Sequence, residues 1–101
     1  MRVNGDQGAD FHIVIRRRVL VRGVVQGVFF RDSCRREARA HGVSGWVTNT
    51  VDGAVEAVFE GEPDAVRQLV DWARQGPSRA AVRSIEVFDE PVQGERGFEV
   101  V

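Results

Sequence analysis

Gly23-Val24-Val25-Gln26-Gly27-Val28-Phe29-Phe30-Arg31 links an apolar run to a stretch of helical periodicity, and it predicts a strand, a loop and a helix in succession. Glycines at positions 23 and 27 allow backbone N–H groups to converge on a ligand without Cβ clashes. The first turn of the helix adds N–H groups without an intrahelical partner, together with a partial positive charge. The segment therefore favours a binding site for an anion.

Arg31 strengthens this interpretation. A cation in the first turn of a helix opposes the helix macrodipole by about 0.3–1 kcal/mol. A phosphate bound between the loop and the guanidinium would turn that repulsion into attraction on both sides, since arginine matches phosphate oxygens in a fork geometry. The alternative is an ordinary strand-to-helix connection whose arginine extends into water. The two glycines alone would favour that alternative, because glycine pairs are common in loops.

A second segment decides between the two interpretations: Gly45-Trp46-Val47-Thr48-Asn49-Thr50-Val51-Asp52-Gly53-Ala54-Val55-Glu56. Together the segments resemble the acylphosphatase family, whose patterns read G-x-V-Q-G-V-x-F-R and G-W-V-x-N-x-x-D-G-x-V. Every specified position of both patterns is filled, in the same order. Gly76-Pro77-Ser78-Arg79-Ala80-Ala81-Val82 more weakly resembles the family's link from its second helix to its fourth strand. The resemblance covers roughly Arg17 to Val101 and implies hydrolysis of acyl phosphates.

The resemblance also assigns roles to individual residues. It places the family's phosphate-binding arginine at Arg31 and its water-orienting asparagine at Asn49. The family's phosphate loop falls on the backbone amides of Gly23, Val24, Val25, Gln26, Gly27, Val28 and Phe29. Taken alone, Asn49 could orient a water through its amide or could be a turn residue bonded to its own backbone. The residue type by itself leaves both possibilities open.

The residue types of this site limit its chemistry. One arginine, one asparagine and backbone amides include no general acid, so the site cannot easily expel an alkoxide. A carboxylate, whose conjugate acid has a pKa of about 4, leaves without protonation, and the phosphate's own oxygens can take the proton of the attacking water. The loop holds no Ser or Cys nucleophile, and Asp32 has no second carboxylate beside it. We therefore expect hydrolysis of acyl phosphates without a phospho-enzyme, a metal or a cofactor.

Composition sets the outer limits. A chain of 101 residues fits one domain, and a net charge of −1 gives no general attraction to nucleic acid or to an anionic membrane. All 14 basic residues are arginines, which excludes Schiff-base chemistry. Cys34 is the only cysteine, so no intramolecular disulfide forms. With no apolar run long enough for a signal peptide or membrane span, we expect a cytoplasmic monomer acting on a small molecule.

The periodicity predicts the element order β-α-β-β-α-β, followed by a short last strand. This order is typical of an α+β, ferredoxin-like sandwich, an antiparallel sheet with two helices on one face. The predicted elements are a strand from between Ile13 and Arg17 to Arg22, a helix Phe29–His41, strands Ser44–Asn49 and Ala54–Glu60, a helix from Pro63 to before Gly76, and strands Ala81–Asp89 and Phe98–Val101.

Several features receive structural interpretations. Residues 1–15 are expected to be a flexible N-terminal extension of an acylphosphatase-like domain over residues 16–101. Cys34 falls on the apolar stripe of the first helix and belongs to the core. His12 and His41 are surface or capping residues, and Trp46 and Trp72 are packing rings. Three consecutive arginines, at positions 16–18, are expected at a solvated strand edge.

Three other functions remain open at this stage. A related domain acts on carbamoyl phosphate but belongs to longer chains. An RNA-binding module of the same fold would need stacking aromatics on its central strands, where the first strand has none and the third only Phe59. A regulatory protein that binds an anion without turnover is the third possibility.

Overall fold

The computed structural model describes residues 13–101 of the chain. In chain order its elements are β1 (Ile15–Val24), α1 (Phe30–Ala40), β2 (Ser44–Asn49), β3 (Val55–Gly61), α2 (Pro63–Ala73), β4 (Ala81–Glu90) and β5 (Phe98–Val100). The element order and the two layers confirm the α+β, ferredoxin-like fold. His12 and all but the last three residues of the predicted extension lie outside the described residues.

Five strands form one sheet in the order β4-β1-β3-β2-β5. β1 pairs antiparallel with β3 and β4, and β2 pairs antiparallel with β3. β5 instead runs parallel to β2, with Val47 opposite Val100, so the sheet is not antiparallel throughout as the sequence predicted. The reason is the connection over residues 91–97, which crosses from one edge strand to the other and returns β5 in the direction of β2.

Both helices cover the same face of the sheet. α1 packs on β2 and β5, and α2 packs on β1 and β3. The core therefore combines alternate strand residues with the apolar helix stripes that the periodicity predicted. Its main members are Val19, Val21, Phe30, Cys34, Ala38, Val47, Val55, Ala57, Phe59, Val66, Leu69, Val70, Ala73 and Phe98. Cys34 is fully buried, and burial raises the pKa of its thiol, which confirms it as a core residue.

The opposite face of the sheet corrects one expectation. The arginines of positions 16–18 do not lie on a solvated edge, because β1 is an interior strand between β3 and β4. Arg16 is only 4% exposed and donates hydrogen bonds to Glu60 at 3.2 Å, Glu90 at 3.1 Å and Glu95 at 2.9 Å. Arg18 donates to Glu90 at 2.8 Å. These two arginines therefore form an ion-pair network across the sheet.

The predicted site residues lie along the edge of the sheet that is formed by the ends of its strands. β1 and β2 both run antiparallel to β3, so their C-terminal ends lie at the same edge. Val21, Val55 and Asn49 are in register across these three strands. Because β5 runs parallel to β2, Val100 lies near this edge as well, and α1 begins where the loop after β1 ends.

Candidate functional site

The loop after β1 presents a row of unpaired backbone donors. The N–H groups of residues 25–29 make no hydrogen bond to another backbone group within residues 13–101. Val25 is 1% exposed and anchors the loop in the core. Gly27, with φ of 76°, and Phe29, with φ of 64°, have left-handed backbone, which turns successive N–H groups toward a shared concavity. Such a loop is suited to holding an anion.

Phe29 is the strained residue of this loop. A side chain in the left-handed region costs about 1–2 kcal/mol, and Phe29 is the non-glycine residue that adopts it within residues 13–101. It occupies the N-cap of α1 without a side-chain cap, which moves the helix start to Phe30, one residue after the predicted Phe29. The first intrahelical bond runs from Ser33 N–H to Phe29 C=O at 3.0 Å. The donors of the first turn are therefore left for a ligand.

Arg31 lies exposed in this first turn. Its neighbour Asp32 pairs with Arg35 at 2.6 Å and with Arg36 at 3.3 Å. No ion pair joins Arg31 to a carboxylate in the described part of the chain. Its guanidinium is therefore not engaged by a protein carboxylate there and can bind an external anion.

A cavity of about 450 Å³ brings Arg31 and the loop together. This volume is in the range of small-molecule sites. Its lining is formed by Val25, Gly27, Phe29, Phe30, Arg31, Asp32, Arg35 and Val100. Val100 was not among the predicted site residues. Its contribution depends on the parallel return of β5, for which the sequence held no signal.

The first turn of α1 is fixed by packing behind the cavity. Phe30 is 2% exposed, and its ring lies 5.2 Å from that of Trp72, measured between centroids. Gly76 has φ of 68°, and a Cβ there would lie 2.5 Å from Phe30 Cε2. The third, weaker sequence likeness therefore includes a glycine that makes room for the ring beneath Arg31. Trp72 is a packing ring, as predicted.

Asn49 ends β2 at the edge where the loop lies. By strand alternation it shares the helix-covered side with Gly45 and Val47, both of which are buried. Its Oδ1 atom is buried and has no hydrogen-bond partner within residues 13–101. A buried unpaired acceptor costs about 1–3 kcal/mol, so such an atom is typical of a position where a ligand or water completes the bond. Asn49 does not line the cavity that holds Arg31.

The turn after Asn49 is closed by another residue. Thr50 N–H donates to Ala54 C=O at 2.9 Å, and Thr50 Oγ1 accepts from Ala54 N–H at 3.0 Å. Gly53 has φ of 95°, a left-handed conformation that suits the tip of this hairpin. Thr50 therefore supplies the side-chain bond of this turn, and the amide of Asn49 is left for another task.

Gln26 connects the loop with this hairpin. Its Nε2 donates to Thr50 C=O at 2.9 Å and to Ala54 C=O at 2.8 Å. The motif placed only the backbone amide of Gln26 in the phosphate loop, so the bonds of its side chain were not predicted. A usable signal existed, because Gln26 has the only polar side chain between Gly23 and Phe29.

Asp52 is held in its ionised form at the tip of the hairpin. The Thr50 hydroxyl donates to its carboxylate, and Arg22 pairs with it at 3.0 Å. These two hydrogen bonds lower the pKa of Asp52 to about 2. A carboxyl group with so low a pKa cannot serve as a general acid near neutral pH.

Other chemistry finds little support among the described residues. Within residues 13–101 no three or more His, Cys, Asp or Glu side chains are grouped as metal ligands. His41 lies at the C-terminal end of α1 with its Nδ1 2.9 Å from Glu37 C=O, in line with the predicted capping role. None of the helices described has the length and apolar character needed to cross a membrane.

Comparisons with known proteins identify the family of the chain. The model of the family described as Acylphosphatase matches residues 17–100. An acylphosphatase from Rubrobacter xylanophilus is 60% identical over 86 residues, covering 84% of this chain and 78% of the relative. One from Aeropyrum pernix is 56% identical over 89 residues, covering 86% and 88%. A solved acylphosphatase from Coxiella burnetii has a TM-score of 0.84 at 39% identity and covers 87% of this chain and 93% of its own.

Proposed function

We propose, since the chain belongs to the acylphosphatase family and is an enzyme that hydrolyses acyl phosphates, that Arg31, Asn49 and the backbone amides of Gly23 to Phe29 carry out this hydrolysis. The products are a carboxylate and inorganic phosphate. The observation that supports the assignment best is the row of unpaired N–H groups over residues 25–29, which shares one cavity with the guanidinium of Arg31.

The loop and Arg31 bind the phosphoryl group. Backbone N–H groups and the first turn of α1 meet its oxygens with fixed dipoles, and the guanidinium adds a full charge in fork geometry. In the loose transition state of phosphoryl transfer the charge is spread over these same oxygens. Donors that are already in place stabilise that charge without further reorganisation.

Asn49 holds the attacking water. Its buried Oδ1 accepts a hydrogen bond from the water and thereby directs the water oxygen toward phosphorus. The new oxygen–phosphorus bond forms as the bond from phosphorus to the acyl oxygen breaks, and that electron pair leaves with the carboxylate. The water proton passes to a phosphate oxygen, so no protein base is required.

The acyl group extends along the rest of the cavity. Phe29 is 67% exposed and Val100 is 36% exposed, so both offer apolar surface beyond the loop. Nothing else in the lining selects one acyl chain. Carbamoyl phosphate contains the same type of anhydride and is the alternative substrate.

We further propose that the enzyme is a cytoplasmic monomer that binds no nucleic acid. The loop, Arg31 and Asn49 all come from one chain, so the site needs no second subunit. The sheet face on which an RNA-binding module would stack bases is occupied by ion pairs, with the Arg18 guanidinium 4.4 Å above the Phe88 ring centre. We also propose that the boundary of the acylphosphatase-like domain lies at residues 15 and 16, at the start of β1.

Hydrolysis should depend on the leaving group but not on metal ions. Benzoyl phosphate should be hydrolysed at the same rate with and without a chelator, carbamoyl phosphate should be tested beside it, and an alkyl phosphate monoester should be turned over negligibly. Inorganic phosphate should inhibit competitively, because it occupies the same loop. Steady-state rates for this panel provide the measurement. Comparable rates on the acyl and alkyl substrates, or loss of activity with the chelator, would contradict the assigned mechanism.

A further inference from the structure

The side chain of Gln26 reaches out of the phosphate loop and binds both ends of the turn that follows Asn49. We propose that Gln26 is a positioning residue that sets Asn49, and the water it holds, relative to the bound phosphoryl group. This inference rests on the proposed role of Asn49. The Gln26 side chain does not line the cavity, so it acts through Asn49 and not on the substrate.

The two carbonyl groups bound by Gln26 stand on either side of the turn. Thr50 C=O also accepts from Gly53 N–H at 3.3 Å, and Ala54 C=O also accepts from Thr50 N–H at 2.9 Å. Gln26 Nε2 also donates to both carbonyls, at 2.9 and 2.8 Å, and so uses both of its protons. One amide group therefore ties both ends of the turn to the loop.

The Gln26 side chain connects two elements that are not neighbours in the sheet. The loop continues β1 and Asn49 ends β2, and β3 lies between these strands. Two strand spacings of about 4.8 Å place Asn49 roughly 10 Å across the sheet from Val21. Because Asn49 directly precedes Thr50, the bond from the loop to Thr50 C=O couples the position of Asn49 to that of the loop. A displacement of about 1 Å of a catalytic group can cost 10²-fold in rate.

The second bridge between these elements cannot replace Gln26. Arg22 and Asp52 also join β1 to the hairpin, but their side chains are 36% and 59% exposed. Solvent screens such surface pairs strongly. The β2–β3 ladder, in contrast, does not depend on Gln26, since Asn49 pairs with Val55 through the backbone. Loss of Gln26 should therefore preserve the fold and loosen the turn.

A double-mutant cycle of Gln26→Leu with Asn49→Ala tests the proposal, with kcat, the inhibition constant of phosphate and the melting temperature as readouts. Gln26→Leu should lower kcat by roughly 10- to 100-fold in the wild-type background. It should change kcat by less than about threefold in the Asn49→Ala background, because residues acting as a unit are not additive. The inhibition constant of phosphate should stay within about threefold throughout.

Gln68→Leu is the matched control, because this glutamine is exposed on α2 and the exchange is the same. It should leave kcat unchanged in both backgrounds. If Gln26→Leu does not fold, Gln26→Asn completes the cycle, since it retains the amide but is too short to reach both carbonyls.

The outcomes separate the two proposals. Losses in kcat that multiply in the double variant, or a weakened phosphate affinity equal to the loss in kcat, would overturn the role of Gln26. An Asn49→Ala enzyme with normal kcat would instead overturn the proposed role of Asn49.

Discussion

Unfavourable local features are concentrated around the site at the residue scale. Phe29 has left-handed backbone, Asn49 Oδ1 is buried without a partner within residues 13–101, and the N–H groups of residues 25–29 donate to no backbone acceptor there. The left-handed backbone of Phe29 and the buried Asn49 Oδ1 each cost free energy in the unliganded protein, and the attacking water can relieve the unpaired oxygen. The chain thus maintains costly groups where the ligand is expected to bind.

Replacing Arg31 should remove phosphate binding and turnover together. Arg31→Ala should abolish both, since the other arginine in the cavity, Arg35, is paired with Asp32. Arg31→Lys should rescue poorly, because an ammonium group cannot make the two-pronged contact. The measurements are kcat/KM and the inhibition constant of phosphate. Near-normal kcat/KM in Arg31→Ala would disprove the role assigned to this side chain.

Replacing Asn49 should affect the chemical step selectively. Asn49→Ala should lower kcat by roughly 10²-fold or more, by analogy with removing one preorganised donor. Phosphate affinity should change little, because the loop and Arg31 are retained. Initial rates and phosphate inhibition separate these effects. Equal losses in both would indicate that Asn49 mainly shapes the cradle.

The sequence was most informative about residues that the two motifs specify. Arg31 and Asn49 were assigned from the motifs, and the structure brings Arg31 and the loop into one cavity. Gln26 stood out as the polar side chain between Gly23 and Phe29, but the motif did not identify its partners. Its partners are carbonyl groups 24 and 28 residues away, and a carbonyl group has no sequence signature.

At the scale of elements, the start of α1 is the sensitive point. Its first turn carries Arg31, and the ring of Phe30 holds that turn against Trp72 and over Gly76. The end of α2 therefore determines how accurately α1 presents its guanidinium to the cavity.

Gly76→Ala should disturb this contact. The new Cβ would lie 2.5 Å from Phe30 Cε2, and relieving the clash should cost about 1–3 kcal/mol beyond the backbone strain. Gly42→Ala is the matched control, because Gly42 also has φ of 68° but has nothing within 4 Å of a Cβ. We expect the Gly76 variant to be less stable than the control in urea and to bind phosphate more weakly. Equal stability and equal phosphate inhibition in the two variants would contradict this account.

Periodicity predicted most elements well, because it reports directly which face of an element is buried. The bounds of β2 match the structure, and Cys34 is buried on the helix stripe where the periodicity placed it. The direction of β5 could not be predicted. A three-residue strand has the same pattern in either direction, and its pairing depends on the path of residues 91–97.

At the scale of the whole molecule, ion pairs cover much of the sheet face opposite the helices. Burial works against the charged form of Glu60, but bonds from Gln93 N–H, Glu95 N–H and Arg16 together lower the pKa of its carboxyl group. Hydrogen bonds from Arg18 and Arg16 lower the pKa of Glu90. The sequence showed only three adjacent arginines, because these carboxylates come from distant parts of the chain.

This network predicts a loss of stability in acid. Both glutamates have lowered pKa values in the folded state, so their contribution is present above the ordinary glutamate pKa of about 4.3 and is lost as the pH falls through the lower folded values. Arg16→Met should lower the free energy of unfolding at pH 7 by about 3 kcal/mol, because it leaves Glu60 buried without its cation. The free energy of unfolding should also fall less steeply in acid, because Arg16 no longer lowers the pKa of Glu60.

Urea denaturation between pH 7 and pH 3 provides the measurement. Arg17→Met is the control, since the partner of Arg17 is the 83% exposed Asp89 and the pair should contribute less than about 1 kcal/mol. Similar losses of unfolding free energy in the two variants would show that the network does not govern acid stability. The same would follow if the free energy of unfolding of Arg16→Met fell with pH as steeply as that of the wild type.

The parallel return of β5 has a practical consequence for handling the enzyme. Val101 N–H donates to Val47 C=O at 3.0 Å, beside Val100 in the cavity lining, so a tag or fusion partner attached after Val101 would emerge at the mouth of the cavity. β1 begins at the other end of the sheet, about 30 Å away along its ten residues. Affinity tags, fluorophores and surface immobilisation are therefore best placed ahead of β1, where they leave the entrance clear.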